Sequence, residues 1–193
     1  PPKLTGTLPT GGSGTYIYQW QRSIDDNNWS DVSGTSIDYP PAGAETATVW
    51  FRRIVDDGAG ITDISKSVQI IVHPLITGNI VGSDTTLCFN QNPEELYPLN
   101  GGPSGGTGLY YYTWEQSPDN TTWSGAAGAN TNPKYDPQAL TTTTYYHRIV
   151  NSGACTDISS RVIVPILPSI TGNNIQADQT ICQGSSFVNL TGD

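Results

Sequence analysis

A ten-residue block, Gly11-Gly12-Ser13-Gly14-Thr15-Tyr16-Ile17-Tyr18-Gln19-Trp20, returns 94 positions later, at Gly105-Gly106-Thr107-Gly108-Leu109-Tyr110-Tyr111-Tyr112-Thr113-Trp114. The same offset carries Ser23, Asp25, Trp29 and Ser30 onto Ser117, Asp119, Trp123 and Ser124. After small insertions Arg53-Ile54-Val55 recurs as Arg148-Ile149-Val150, and Thr62-Asp63-Ile64-Ser65 as Thr156-Asp157-Ile158-Ser159. Pro74-Leu75-Ile76-Thr77-Gly78-Asn79 then matches Pro168-Ser169-Ile170-Thr171-Gly172-Asn173, and Cys88 matches Cys182. A fixed period of this length means one domain-sized unit used repeatedly. The division expected is residues 1–74 as module one without its opening strand, 75–168 as module two, and 169–193 as the opening strand of a third. Leu4-Thr5-Gly6 aligns with Leu99-Asn100-Gly101 in this reading. The chain has no Met, and we read it as a window on a longer tandem array.

The pattern within a module is that of strands. Tyr16, Tyr18 and Trp20, and likewise Tyr110, Tyr112 and Trp114, alternate with other residues at period two, as in a strand with one buried face. Val68, Ile70 and Val72 repeat the pattern, as do Val162, Val164 and Ile166. Asp25-Asp26-Asn27-Asn28 and Asp119-Asn120 supply hairpin chemistry, because Asp and Asn bond their own backbone and tolerate left-handed geometry. No stretch carries a helical apolar stripe. The fold class expected is all-β: tandem immunoglobulin-like (Greek-key) β-sandwich modules arranged as a rod, stiffened by Pro74 and Pro168 between modules.

Composition narrows the function. Acidic side chains outnumber basic ones 17 to 8 and the few cations are scattered, which argues against a nucleic-acid surface. No apolar run is long enough for a membrane span. Catalytic candidates are scarce: His73 faces Leu167 in the other copy, His147 faces Arg52, and no nucleophile elbow, zinc-protease or phosphate-loop motif occurs, so we expect no enzyme.

Other residues carry candidate roles. Cys88 and Cys155 form the expected disulfide of module two, implying an oxidising, exported location, with buried thiols as the plainer reading. Cys182 matches Cys88, so its partner is expected in the following module. Asp25, Asp26 and Asp57 are weak calcium candidates, with turns and caps as the alternative; no other cofactor is expected. Trp20 and Trp114 are assigned to the core. Trp29 and Trp123 are either cross-strand packing residues or stacking platforms for a sugar ring. Arg53 and Arg148, at one site in both copies, pair with a carboxylate or cover an aromatic face.

The run Tyr110-Tyr111-Tyr112-Thr113-Trp114-Glu115-Gln116-Ser117-Pro118-Asp119-Asn120-Thr121-Thr122-Trp123, then Leu140 to Arg148, then Gly153-Ala154-Cys155, resembles the Ig-like repeats of giant Bacteroidota cell-surface adhesins, the SprB-like gliding-motility adhesins. Ile175 to Gly184 resembles the opening of such a repeat. The resemblance implies type IX secretion, an extracellular location with the outer-membrane anchor elsewhere in the precursor, and service as the stalk of a surface filament. It also implies O-glycosylation at Asp-Ser/Thr followed by an apolar residue or Thr, which makes Thr85 of Asp84-Thr85-Thr86 a candidate. The partners expected are neighbouring repeats of the same polypeptide and a surface polysaccharide or substratum. The alternative function is a glycan-binding β-sandwich of a secreted surface protein.

Overall fold

The structure is a computed structural model that describes residues 3–82, 85–175 and 178–192. Every regular element among them is a strand. The chain divides into two compact units, Pro1–Leu75 with Gly105–Thr107, and Ile76–Ser104 with Gly108–Asp193.

The first unit contains β1 (Ile17–Ser23), β2 (Ser30–Asp31), β3 (Val49–Asp56), β4 (Thr62–Ile64) and β5 (Val68–Ile70). They form one antiparallel sheet in the order β2-β1-β3-β4, with β5 also on β3. The β1–β3 register runs from Ile17 opposite Asp56 to Ser23 opposite Trp50. That register puts Trp20, Val49 and Phe51 on one face, where they are buried with Tyr39. Leu4 and Tyr39 exchange backbone hydrogen bonds in the facing layer, at 2.8 and 2.9 Å.

The second unit contains β6 (Val81–Gly82), β7 (Leu87–Cys88), β8 (Tyr97–Pro98), β9 (Tyr111–Ser117), β10 (Ser124–Gly125), β11 (Thr144–Ser152), β12 (Cys155–Ile158), β13 (Val162–Val164) and β14 (Ile166–Leu167). Its main sheet repeats the first: β10-β9-β11-β12, with β13 on β11. A facing layer consists of the β6–β8 and β7–β14 pairs and the bridges Gln91–Leu140 and Leu96–Tyr135. Val81, Leu96, Trp114, Tyr135, Tyr146 and Val164 fill the space between the layers. The architecture is therefore an immunoglobulin-like β-sandwich in tandem copies, each with its own apolar core.

The cores match in detail. Trp20 stacks on Tyr39 at 5.6 Å and 25°, and Tyr39 tilts against Phe51 at 5.6 Å and 46°. Trp114 stacks on Tyr135 at 5.7 Å and 28°, and Tyr135 tilts against Tyr146 at 5.5 Å and 47°. Burying rings of this size contributes about 1.5–3 kcal/mol each, and offset contact between them adds to that. Gly34 makes the first stack possible: a Cβ there would lie 2.5 Å from Tyr39 Cδ2.

Two differences from the sequence alignment have physical causes. Leu4 bonds Tyr39 as Leu96 bonds Tyr135, so it is the counterpart of Leu96 and not of Leu99. The segment from Leu4 to Pro9 is two residues shorter than that from Leu96 to Pro103, which conceals the match. Val68 is 53% exposed although its counterpart Val162 is 2% exposed. Val162 shares its core cluster with Val81, on β6; among the described residues, the first unit has no strand corresponding to β6.

Candidate functional site

A buried arginine organises each unit. Arg148 lies on β11 between Tyr146 and Val150, directly opposite Trp114 of β9. Its guanidinium is wholly buried under Tyr112 and Trp114, 5.2 and 5.7 Å from their ring centres. Nη1 donates to the Pro133 carbonyl at 2.6 Å, and the backbone amide of Arg148 donates to Ser159 Oγ at 2.9 Å. Burial disfavours the charged form and pushes the guanidinium below its ordinary range. Asn79 meets this charge: its Oδ1 accepts from Arg148 Nε at 3.0 Å, and its Nδ2 donates to the Arg148 and Asp157 carbonyls at 3.1 and 3.3 Å. The segment carrying Asn79 is tied down by Thr77 and Ser104, whose backbones exchange bonds of 2.9 and 2.8 Å.

Arg53 repeats this arrangement with one part absent. It covers Tyr18 and Trp20 at 5.1 and 5.9 Å, donates from Nη1 to Ile37 O at 2.8 Å, and bonds Ser65 Oγ through its amide at 2.9 Å. Nη2 donates to Thr7 O at 2.9 Å. Its Nε is buried without a partner, as Nη2 of Arg148 is in the second unit. Beside it opens a cleft of about 430 Å³ bounded by Thr10, Gly12, Arg53, Asp57 and Asp63. The expectation of a carboxylate partner for these arginines is replaced by carbonyl and amide oxygens; the expected aromatic contact is present in both.

A family model with the description "Domain of unknown function (DUF8696)" matches residues 1–74 and 77–168. The chain belongs to the DUF8696 family. No curated protein matches it. Among solved structures, the chain is similar to the crystal structure of Dscam1 isoform 1.9, N-terminal four Ig domains, at 12% identity and a TM-score of 0.29. The match covers 86% of this chain and 40% of that one.

In this DUF8696 chain the candidate tryptophans each engage a neighbour on one ring face. Arg52 sits over Trp29, 4.3 Å from the ring centre, and donates from Nε to Gln21 Oε1 at 2.8 Å. His147 stacks on Trp123 at 3.8 Å and bonds Glu115 Oε2 through Nε2 at 2.8 Å. Arg52 lies opposite Gln21, and His147 opposite Glu115, in matching registers. In sequence, Arg52 and His147 stand out only as exchanged counterparts, and their contact with the tryptophans is missed. The offset that maps Gln21 onto Glu115 was the available signal.

The aspartates sit in turns. Asp25 Oδ1 accepts from the Asn27 and Asn28 amides at 3.0 and 2.8 Å and from Ser23 Oγ at 2.8 Å. Asp119 does the same with Thr121, Thr122 and Ser117 at 2.8, 2.7 and 2.9 Å. Backbone donors, first those of Asn28 and Thr122, hold both carboxyls well below the usual range. Asp26 and Asn120 occupy the left-handed region at φ 57° and 60°. Asp57 accepts from the Ala59 and Ile61 amides at 2.9 and 3.0 Å and from Ser13 N at 3.2 Å. Asp25, Asp26 and Asp57 belong to no group of three ligating side chains among the described residues.

The expected Cys88–Cys155 disulfide is not formed. Cys88, on β7, carries a free thiol and pairs in register with Leu167 of β14. Ile166 of β14 bonds Thr143 Oγ1, next to the start of β11. Cys155 pairs with Ser152 at the far end of that strand. Eight residues of extended chain span about 27 Å, whereas bridged Cα atoms lie about 4.4–6.8 Å apart. Cys182 is exposed with a free thiol. Thr85 is half-buried, and Asp84 of its motif lies outside the described residues.

Proposed function

We propose that this chain is a structural stalk segment of a long extracellular adhesin filament, without catalytic activity of its own. One observation carries the reading: the two copies keep the packing at matched positions while exchanging the chemistry. Arg52 and Gln21 stand where His147 and Glu115 stand, and each cation or imidazole still lies on a tryptophan. A reaction centre depends on the protonation and nucleophilicity of particular groups and does not survive that exchange. A spacer depends only on the packing. Repetition of a self-contained sandwich suits a part whose contribution is length and resistance to pull. Gliding motility, type IX export and anchoring at the outer membrane belong to the reading through the resemblance of the repeats, with neighbouring repeats as the immediate partners and a polysaccharide or substratum as the distal one.

The test is location on the native cell. Antibodies raised against residues 3–168 are expected to label intact, unpermeabilised cells, with gold particles standing off the envelope. Labelling that requires permeabilisation contradicts the proposal.

A further inference from the structure

The turn that follows β8 sets an asparagine and a glycine side by side in a reactive arrangement. Leu99 donates its amide to the Ile80 carbonyl at 2.9 Å, and the Gly102 amide closes the turn on the Leu99 carbonyl at 3.1 Å. The central residues, Asn100 and Gly101, have φ 52° and 84°, the signs of a type I′ turn. Both are exposed. Among the described residues, no hydrogen bond reaches the Asn100 side-chain amide or the Gly101 backbone amide. A Cβ built on Gly101 would meet nothing within 4 Å. The Gly101 nitrogen therefore stands as an unbonded nucleophile next to the unbonded amide carbon of Asn100, and a glycine has no side chain to obstruct their approach. Asn100 is the only asparagine of the sequence that a glycine follows. The pair Asp57-Gly58 has the same spacing without the same freedom. Asp57 is 6% exposed, and its carboxylate is held by the Ala59, Ile61 and Ser13 amides.

We propose that Asn100 is a site of spontaneous covalent modification, in which its side chain closes onto the Gly101 amide, is converted to isoaspartate and aspartate, and thereby loosens β6 and β8. Hydroxide removes the Gly101 amide proton, and the nitrogen bonds to Asn100 Cγ. The Cγ–Nδ2 bond breaks and ammonia leaves. Water then opens the cyclic imide. Addition at Cγ breaks the new bond to nitrogen and leaves aspartate. Addition at the main-chain carbonyl of residue 100 breaks the original peptide bond, so the chain runs through Cγ as isoaspartate. Water is consumed and ammonia released in equal amounts, with no oxidant or cofactor. Isoaspartate adds a carbon to the main chain inside a closely fitted turn: a Cβ on Gly78 would lie 2.8 Å from the Gly102 carbonyl oxygen. The lengthened turn cannot keep that fit together with the Gly102–Leu99 and Leu99–Ile80 bonds. Those bonds tie the turn to the end of β8, which pairs with β6 through Val81–Pro98 and Gly82–Tyr97. Gly78 precedes Asn79, so the disturbance also reaches the segment that satisfies Arg148 Nε. The proposal is independent of the stalk reading, since it needs only the second unit.

The experiment incubates the 193-residue chain in mildly alkaline buffer and follows it by peptide mapping. Isoaspartate and aspartate at residue 100 are expected to accumulate several-fold faster than modification at any other asparagine, in proportion to hydroxide. Asp57 is expected to stay unchanged. Asn100→Gln, whose longer side chain closes the ring poorly, is expected to remain intact. Hydrogen exchange of the aged parent is expected to be faster in β6 and β8, with β1 and β3 unchanged. Freshly prepared Asn100→Asp carries the charge without the added carbon and is expected to exchange as the unaged parent does. An Asn100 that reacts only after the chain is unfolded in urea, modification spread evenly over the asparagines, or an aged chain whose β6 and β8 exchange unchanged overturns the proposal.

Discussion

Asn79 and Arg148 are joined in both directions: Arg148 Nε donates to Asn79 Oδ1 at 3.0 Å, and Asn79 Nδ2 donates to the Arg148 carbonyl at 3.1 Å. Both residues are buried, so neither finds a substitute partner in water. Asn79→Ala is expected to destabilise the second unit by about 2–3 kcal/mol, leaving a buried guanidinium donor unbonded. Hydrogen-exchange mass spectrometry reads the units separately. Faster exchange is predicted in β9 and β11, with β1 and β3 unchanged.

The hairpin aspartates predict a pH dependence. Asp119 accepts from the Thr122 and Thr121 amides, and these donors lower its carboxyl pKa in the folded chain. A carboxyl whose folded pKa lies below its unfolded value contributes stability above the unfolded value, about 3.9, and loses it as pH falls toward the folded one. Asp119→Ala is therefore expected to lower the denaturation midpoint at pH 7, and the gap from the parent to narrow below about pH 4. A gap independent of pH would show that the charge plays no part.

The two units are expected to differ in alkali. Burial raises the phenol of Tyr146 far above its ordinary range, whereas the first unit has Phe51 at that place. A raised folded pKa means stability that is intact below the unfolded value of about 10 and lost as pH climbs beyond it. Relative to the intrinsic base-catalysed rise, exchange in β11 should accelerate between about pH 9.5 and 11, more than exchange in β3. Tyr146→Phe should reduce the difference, the remainder coming from Tyr135, whose phenol burial also raises.

The tryptophan contacts predict an asymmetry between substitutions. His147→Arg keeps a cation on the Trp123 ring beside Glu115, as Arg52 lies on Trp29, so it is expected to cost less than removing the ring. Trp123→Ala removes the ring on which His147 stacks and is expected to cost about 1–2 kcal/mol, mainly through lost apolar burial. Urea denaturation of the variants tests both expectations.

Much of this architecture is legible in the amino-acid sequence because it follows from local periodicity. Alternation around Trp20 and Trp114 marks the strands whose inward faces hold the core, and the Asp-rich stretches become the turns in which Asp26 and Asn120 take positive φ. What escapes depends on register and on which end of a strand a residue reaches. Cys88 and Cys155 both flank the body of module two in sequence, yet β7 runs beside β14 near the start of β11 and Cys155 lies at its far end. The pairing of Arg52 with Trp29 depends on the β1–β3 register, which no single strand specifies. The Leu4–Leu96 correspondence is hidden by a two-residue difference in the following loop and emerges only from the bonds to Tyr39 and Tyr135.

The central claim is that each copy is an independently folded module able to sustain pull, and single-molecule force spectroscopy addresses it directly. With the chain held at both ends, the account predicts two separate unfolding events, lengthening the tether by about 210–240 Å for the first unit and about 270–310 Å for the second, the extended lengths of roughly 75 and 94 residues less a folded span of about 30–40 Å. One concerted event, or gradual extension without a force peak, would contradict it.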